Sequence, residues 1–446
     1  MADIAADDLP TGRPAAASGP ASAAAPDAPA GPLLAADGTP LKTSIRRSER
    51  RARLRAFLLV APLLAFVLIS FIAPIADMLF RSVENDITEN TLPRTVAALS
   101  DWSPEGGEAP GEPVFEALYQ DMLVATDLKI HTRLGSRLNY EESGMSSLFR
   151  KTNERRLNRM DADAPKKEQF VDLDEDWGDP QVWAVIQTFA PRYTSGYFLA
   201  AIDGKLTPQG VTLAPEDRRI YLTLFWRTIL LSVTITVSTL LLGYPVAWLL
   251  ANLPMRSANL LMILVLLPFW TSLLVRTSAW KVLLQEQGVI NDFLVAIGLV
   301  SDAGRLVMIN NATGTVIAMT HILLPFMILP LYSVMKTIPP SYLRAAKSMG
   351  ANDWTAFWRV YFPQTVPGIG AGAILVFILA IGYYITPELV GGTSGTFISN
   401  RIAFHISSSL NWGLAAALGA ILLFLVLILY WVYDRIVGID NVKLGG

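Results

Sequence analysis

The residues whose types and spacing carry the clearest chemistry lie in a basic, helix-prone stretch, Pro339–Pro367, between two long apolar segments. Ser341 is a predicted N-cap for a helix over Tyr342–Met349, because its hydroxyl can accept a backbone N–H. Gly350 is predicted to end this helix, since glycine adopts a left-handed C-cap without strain. The pattern therefore predicts a short helix followed by a tight turn.

A second predicted helix begins after Asn352 or Asp353 and ends at Pro363. Four aromatic residues recur in it at intervals of three or four and so share one face, namely Trp354, Phe357, Trp358 and Tyr361. Such a face fits a groove on a partner protein. It can equally pack against helices of the same chain or enter the lipid interface. The sequence leaves both interpretations open.

Motifs of catalysis and nucleotide binding are missing from the sequence. It contains no G-x-x-x-x-G-K-[ST], H-E-x-x-H or G-x-S-x-G pattern, so we expect no ATPase site on this chain. The histidines His131, His321 and His405 lie far apart, which argues against a metal cluster. His321 lies inside an apolar segment, where we expect a hydrogen bond between helices, although an intramembrane ionisable residue is also a functional candidate.

The composition indicates an all-α integral membrane protein. Of the 446 residues, 52% are hydrophobic and 17% are charged, and the mean hydropathy is +0.40. Six apolar segments are each long enough to cross a bilayer: Ala56–Phe80, Phe225–Leu253, Ala258–Leu284, Thr315–Ile338, Val366–Val390 and Asn411–Arg435. Prolines at 245, 268, 325, 330 and 387 predict kinks in them. The first segment is too long and begins too late for a secretory signal.

Basic residues predict the orientation. Seven of them lie between Lys42 and Arg55, directly before the first apolar segment, and the 339–367 stretch is also basic. The two short loops assigned to the other side each carry a single basic residue, Arg305 and Arg401. The positive-inside rule therefore predicts that both termini and the 339–367 stretch are cytoplasmic.

These patterns predict five regions along the chain. They are a disordered cytoplasmic tail (1–41), a basic segment with the first crossing (42–80), a periplasmic subdomain (81–224), a membrane core (225–437) and a cytoplasmic tail (438–446). The subdomain has 16 basic and 24 acidic residues. We expect it to be partly folded, with helices near 114–128 and 181–189.

The 339–367 stretch resembles the EAA loop of ABC importer permeases. That family's pattern is Glu-Ala-Ala, three residues, Gly, nine residues, Ile, one residue, Leu-Pro. Here Ala345, Ala346, Gly350 and Pro363 match at the same spacing. Three positions depart from the pattern, since Arg344 replaces Glu, Val360 replaces Ile and Phe362 replaces Leu.

This resemblance implies a type I (MetI-like) permease fold with about six transmembrane helices in a bacterial inner membrane. It implies that the loop docks into a cleft of an ATPase, which binds ATP and Mg²⁺, and that this chain holds no cofactor. Further implied partners are a second permease, a periplasmic solute-binding protein and the lipid bilayer; no nucleic acid is expected. The implied coupling residues are Arg344, Ala345, Ala346, Gly350, Trp354, Phe357, Trp358, Tyr361 and Pro363.

Other stretches resemble the spermidine/putrescine branch of this family, among them 241–254, 267–292, 386–392 and 411–419. Carboxylates and aromatic faces suit a linear polycation, and the candidate pathway residues are Tyr244, Trp270, Tyr383 and Glu388. Alternatives are another small solute, such as an amino-acid derivative, an opine or an inorganic ion, and a membrane-anchored periplasmic receptor. An ion-driven transporter would require inverted halves and intramembrane acids, which we do not find.

Overall fold

The computed structural model describes residues 41–161 and 163–437. The predicted tail over residues 1–41 lies outside them except for its last residue, and the predicted tail over 438–446 lies outside them entirely. The described chain divides into two compact units on either side of the bond between Pro74 and Ile75.

The first predicted crossing is helical throughout. Helix α1 (Leu41–Val67) continues through a π-helical turn (Leu68–Ile72) into α2 (Ala73–Arg81). The part from Ala52 to Arg81 is long and apolar enough to span a bilayer. The structure therefore contains the long apolar helix that the sequence predicted over 56–80.

The region after α2 forms a helical subdomain. Its elements are α3 (Ile87–Thr91), α4 (Pro93–Ala98), α5 (Glu112–Asp127), α6 (His131–Leu138), α7 (Met145–Lys151), α8 (Glu154–Leu157), α9 (Lys166–Leu173), α10 (Pro180–Thr188), α11 (Gly196–Ala201) and the antiparallel strands β1 (Gly204–Thr207) and β2 (Gly210–Leu213). Helices α5 and α10 lie where the sequence predicted helices. The β-hairpin is an addition to the predicted all-α fold.

A fully packed core holds the subdomain together, so the prediction of a partly folded region was too cautious. Trp177 and Trp183 are completely buried beside Phe115, Phe149 and Phe170. Both indole N–H groups are satisfied, because that of Trp177 donates to Thr152 Oγ1 (3.1 Å) and that of Trp183 donates to the Trp177 carbonyl (2.9 Å). Tryptophan can be buried at little cost only when its N–H finds such a partner.

The membrane core follows. Its helices are α12 (Tyr221–Asn252), α13 (Met255–Leu266), α14 (Leu273–Leu283), α15 (Val289–Ala296), α16 (Ala312–Thr337), α17 (Pro340–Ser348), α18 (Asp353–Ala356), α19 (Phe362–Gly382), α20 (Ile385–Val390), α21 (Ile398–Ser407) and α22 (Trp412–Val437). Within the described ranges five helices can cross a membrane, or six if one bent pair counts as a crossing.

The bent pair corrects the prediction of a continuous third crossing over Ala258–Leu284. The segment Met255–Trp270 meets Leu273–Leu283 at 98°. Pro268 lies in the 3-10 turn just before this break, where its ring and missing N–H prevent a regular helix from continuing. By contrast, α12 and α16 continue through three of the other predicted kink sites, at Pro245, Pro325 and Pro330. The predicted crossing over Val366–Val390 is interrupted, because α19 ends at Gly382 and Pro387 lies in the separate helix α20.

Glycines allow α12, α16 and α19 to pack closely. A Cβ atom on Gly243 of α12 would lie 3.2 Å from Cγ of Met327, and one on Gly372 of α19 would lie 2.7 Å from its Sδ. Met327 of α16 is itself completely buried. Gly243 and Gly372 therefore allow the close packing of these helices.

The subdomain is joined firmly to the core. Asp203 accepts three backbone N–H groups at the start of α12, from Ile220 (3.0 Å), Tyr221 (2.9 Å) and Leu222 (2.9 Å). This carboxylate satisfies donors that a helix N-terminus otherwise leaves free. The ring of Tyr197 lies against Gly413 of α22, where a Cβ atom would be 2.3 Å from the ring.

We predict that Gly413→Ala destabilises the protein, because its methyl group would overlap the Tyr197 ring. Overpacking of this kind costs about 1–3 kcal/mol, so the midpoint of thermal unfolding in detergent should fall. Gly419→Ala on the same helix is the matched control, since nothing lies within 4 Å of its Cβ position. Equal midpoints for the two variants would contradict the described contact.

Candidate functional site

The candidate site is the helical hairpin of residues 339–363, which follows directly on α16. Its first helix begins earlier than predicted, with Pro339 as the N-cap and Pro340 as the first helical residue. The prediction that Ser341 caps this helix was therefore wrong. Proline suits the first position because its fixed φ is helical and its missing N–H would have had no partner there.

Gly350 forms the predicted turn. Its φ is +92°, and its N–H donates to the carbonyl of Lys347 (3.0 Å) in the last turn of α17. The N–H of Ala351 donates to the carbonyl of Ala346 (3.1 Å). These two bonds make a Schellman motif, which requires the left-handed conformation that glycine adopts without strain.

The second helix of the hairpin does not end at Pro363, contrary to the prediction. Asn352 caps it by accepting the N–H of Thr355 (2.8 Å), and it continues from Asp353 to Gly382 as one span. A π-helical turn at Phe357–Tyr361 precedes the proline. Proline interrupts an α-helix through its missing N–H and its clash with the carbonyl four residues earlier, and the wider turn accommodates both.

The aromatic stripe divides between the chain's own core and its surface. Tyr361 is only 4% exposed, and Phe357 stacks on it with ring centroids 5.9 Å apart. Phe357 also meets the ring of Tyr244 on α12, at 6.2 Å. Trp354, in contrast, is 71% exposed, and Trp358 beside it is also exposed. One half of the stripe therefore packs against the chain's own helices, as one interpretation predicted, and the other half is exposed.

The two alanines of the hairpin also differ in environment. Ala346 is buried, whereas Ala345 and Arg344 are exposed. Lys347 forms an ion pair with Asp353 across the turn, which links the two helices of the hairpin. The hairpin thus holds its inner face against the membrane core and presents the other face to its surroundings.

The hairpin and the subdomain lie at opposite ends of α12. Asp203 of the subdomain binds the first residues of α12, as described above. At the other end the Lys336 ammonium group donates to the carbonyl of Ala251 (3.4 Å), just before the hairpin. A helix of 32 residues is about 48 Å long, more than the roughly 30 Å of a bilayer's hydrocarbon core.

The four candidate pathway residues are not brought together in one place. Tyr244 lies near the hairpin, where its hydroxyl is 3.2 Å from that of Thr365. Trp270 is 88% exposed in the turn after α13. The Tyr383 carbonyl accepts a hydrogen bond from the Ser399 hydroxyl (2.6 Å), at the break between α19 and α20.

Glu388 lines a cavity of about 570 Å³ between α12, α20 and α21. Its carboxylate accepts a hydrogen bond from the Asn400 amide (2.7 Å). The same cavity is lined by three arginines, Arg219, Arg227 and Arg401. The net formal charge of these four side chains is therefore positive, which the sequence prediction based on Glu388 alone did not anticipate.

A histidine near this cavity is held neutral. His405 has its Nε2 atom 2.9 Å from the Tyr221 hydroxyl and its Nδ1 atom 2.7 Å from the Ser409 hydroxyl. Burial, together with the charge of Arg401, lowers the pKa of His405 to about 4. At neutral pH its imidazole therefore adds no charge to this region.

Two further polar side chains lie among the helices of the membrane core. The indole N–H of Trp280 donates to Nδ1 of His321 (3.1 Å) and joins α14 to α16, so the predicted interhelical hydrogen bond is confirmed. Arg276, one turn earlier on α14, was missed, although an arginine inside an apolar segment is itself a signal. Its Nε and Nη1 atoms are buried and lack a hydrogen-bond acceptor among the described residues.

Metal binding finds no support in the described part of the chain, where no three His, Asp or Glu side chains come together in a way that could hold an ion.

The divided stripe leads to a prediction about stability. Tyr361→Ala should lower the unfolding midpoint, because truncating a buried aromatic residue costs about 3–5 kcal/mol. Trp354→Ala should leave the midpoint nearly unchanged, since its ring is exposed. The two variants each remove one aromatic side chain, and thermal unfolding of both in the same detergent measures the difference. A larger loss for Trp354→Ala would contradict the described orientation of the helix.

Comparison with known proteins assigns the membrane core. Residues 218–437 match the model of a family described as binding-protein-dependent transport system inner membrane component. The chain is 33% identical over 262 residues to the spermidine/putrescine transport system permease protein PotB of Salmonella typhimurium, covering 57% of this chain and 91% of that protein. PotB of Haemophilus influenzae is 36% identical over 216 residues, covering 48% and 75%.

A solved structure also resembles the chain. It is a bacterial alginate ABC transporter in complex with alginate pentasaccharide-bound periplasmic protein, with a TM-score of 0.39 at 19% identity, covering 48% of this chain and 77% of that chain.

Proposed function

We propose that this chain, which belongs to the family of binding-protein-dependent transport system inner membrane components, carries polyamines such as spermidine and putrescine across a bacterial inner membrane. The chain is the permease component of an ABC importer, a type of subunit that does not itself hydrolyse ATP. The observation that supports polyamines as the solute is the similarity to PotB over nine-tenths of that protein.

The proposed assembly contains four kinds of component. This chain pairs with a second permease, and a dimer of ATP-binding cassette subunits binds ATP and Mg²⁺ on the cytoplasmic side. A periplasmic solute-binding protein delivers the solute. The chain itself carries no cofactor in this proposal, and no nucleic acid takes part.

Charge and the two ends of α12 support the proposed orientation. The helical hairpin carries Arg344, Lys347 and Arg359 against a single acid, Asp353, and basic loops stay in the cytoplasm. The hairpin is therefore proposed to face the ATPases, with both termini on the same side. The subdomain at the other end of α12 is then periplasmic.

The hairpin couples ATP binding to transport in this proposal. Trp354 and Trp358 are exposed and enter a cleft of the ATPase, while Phe357 and Tyr361 pass its movement to α12 through Tyr244. The Gly350 turn and the Lys347–Asp353 ion pair keep the two hairpin helices together. A closing movement of the ATPases then shifts the membrane helices between inward- and outward-facing states.

The solute pathway includes the cavity at Glu388. One carboxylate among three arginines is too little to bind a polycation strongly, so in this proposal the second permease completes the pathway. The arginines favour one alternative, an anionic solute such as an inorganic ion, which the uptake experiment below distinguishes.

Gly350→Val should abolish coupling, because a β-branched residue at a positive φ is strained by about 1–3 kcal/mol. We expect solute uptake by the reconstituted transporter to fall at least tenfold, while the partner subunit still binds ATP. Gly298→Val is the matched control, since Gly298 also has a positive φ (+75°) and an open Cβ position, but lies far from the hairpin in sequence. Undiminished uptake by the Gly350 variant would overturn the coupling role.

Uptake of labelled spermidine tests the solute. Unlabelled putrescine should compete, and Glu388→Gln should weaken apparent affinity severalfold, because the lost carboxylate attracts the cation near the entrance of the pathway. Ser407→Ala, at an exposed position lining the same cavity, should transport normally. Competition by inorganic oxyanions instead of putrescine would favour the anionic alternative.

A further inference from the structure

The exposed face of the helical hairpin has an unbalanced charge. Three basic residues and one acid lie between residues 339 and 363. The acid, Asp353, is already paired with Lys347. Arg344 and Arg359 are exposed, and neither has an ion-pair partner among the described residues. The hairpin therefore presents two uncompensated guanidinium groups.

Arg344 points away from the chain's own core. It precedes the buried Ala346 by two residues, which places the two side chains roughly 160° apart around α17 because an α-helix has 3.6 residues per turn. Its carbonyl oxygen accepts the Ser348 hydroxyl within the same helix (3.0 Å), so its backbone is held in place. The guanidinium group thus projects from a rigid, short helix.

Large apolar side chains accompany these charges. Met349 is 82% exposed at the end of α17, and Tyr342 is half exposed near its start. Trp354 and Trp358 follow on the next helix, with ring centroids 5.6 Å apart in an edge-to-face arrangement. A surface with exposed Trp, Tyr, Met and Arg has the composition of a protein-binding hot spot.

We propose that this face binds an ATPase cleft with an apolar floor and an acidic rim, and that Arg344 forms an ion pair with a carboxylate of that rim. The proposal rests on the docking role given above and adds the chemistry of the partner. Burying a guanidinium group without a counter-charge is strongly unfavourable, so a neutral or basic cleft does not fit. The charge also selects among ATPases, because a cleft with a basic residue at this place repels Arg344.

Charge reversal tests this pairing in the intact transporter. Arg344→Glu should reduce co-purification of the ATPase with the permease, and solute uptake, at least tenfold. Arg344→Lys should lose much less, because it keeps the positive charge. The opposing carboxylate can be found by replacing the acidic surface residues of the ATPase cleft by Lys, one at a time. The correct replacement should restore assembly with the Arg344→Glu chain and impair assembly with the wild-type chain.

Arg256→Glu is the matched control for a general charge effect. Arg256 is exposed at the same end of α12, in the short helix that follows it, but outside the hairpin. Its reversal should leave co-purification unchanged. Thermal unfolding of the isolated Arg344→Glu chain should match that of the wild type, since the side chain has no ion pair with a described residue of its own chain to lose.

Other outcomes separate this inference from the docking role. Normal assembly of the Arg344→Glu chain with the ATPase would overturn the charge pairing. Loss of assembly in the double variant Met349→Ala/Trp354→Ala would still support the docking face. Normal assembly by both variants would overturn docking as well. If Arg344→Glu instead weakens only binding to vesicles of phosphatidylglycerol, the face contacts anionic lipid and the ATPase pairing is wrong.

Discussion

The structure depends on the close approach of three membrane helices around one side chain. Met327 of α16 fits against Gly243 of α12 and Gly372 of α19, and a methyl group at either glycine would collide with it or compress it. In a bilayer such packing must replace the hydrophobic effect, because lipid chains are as apolar as the side chains themselves. The helical hairpin connects two of these three helices, so its position is fixed by the same contact.

The sequence predicted the parts of the hairpin that local chemistry determines. Gly350 ends α17 because only a left-handed residue completes the two bonds of the turn, and Asn352 caps the next helix because its side chain reaches Thr355. The resemblance to known permeases came from the same residues, and the family match agrees with it. Most of the membrane-spanning helices followed from apolar length alone.

The errors arose where tertiary packing or a rarer helix geometry decides. Pro363 did not end its helix, because a π-helical turn just before it absorbs the disruption. Periodicity placed four aromatic residues on one face, yet it cannot say which part of that face meets α12. A hydropathy profile does not detect a change in the direction of a helix axis, so it did not reveal the sharp bend near Pro268. The charge around Glu388 depends on arginines that the fold brings into the same cavity from separate parts of the chain.

The joint between subdomain and core constrains how the bundle can open. Asp203 accepts three N–H groups at the start of α12, and the Tyr197 ring seats on Gly413 at the start of α22. The subdomain links the ends of these two helices, so the ends cannot separate while both contacts persist. An opening on that side of the bundle that leaves both contacts intact therefore does not separate α12 from α22.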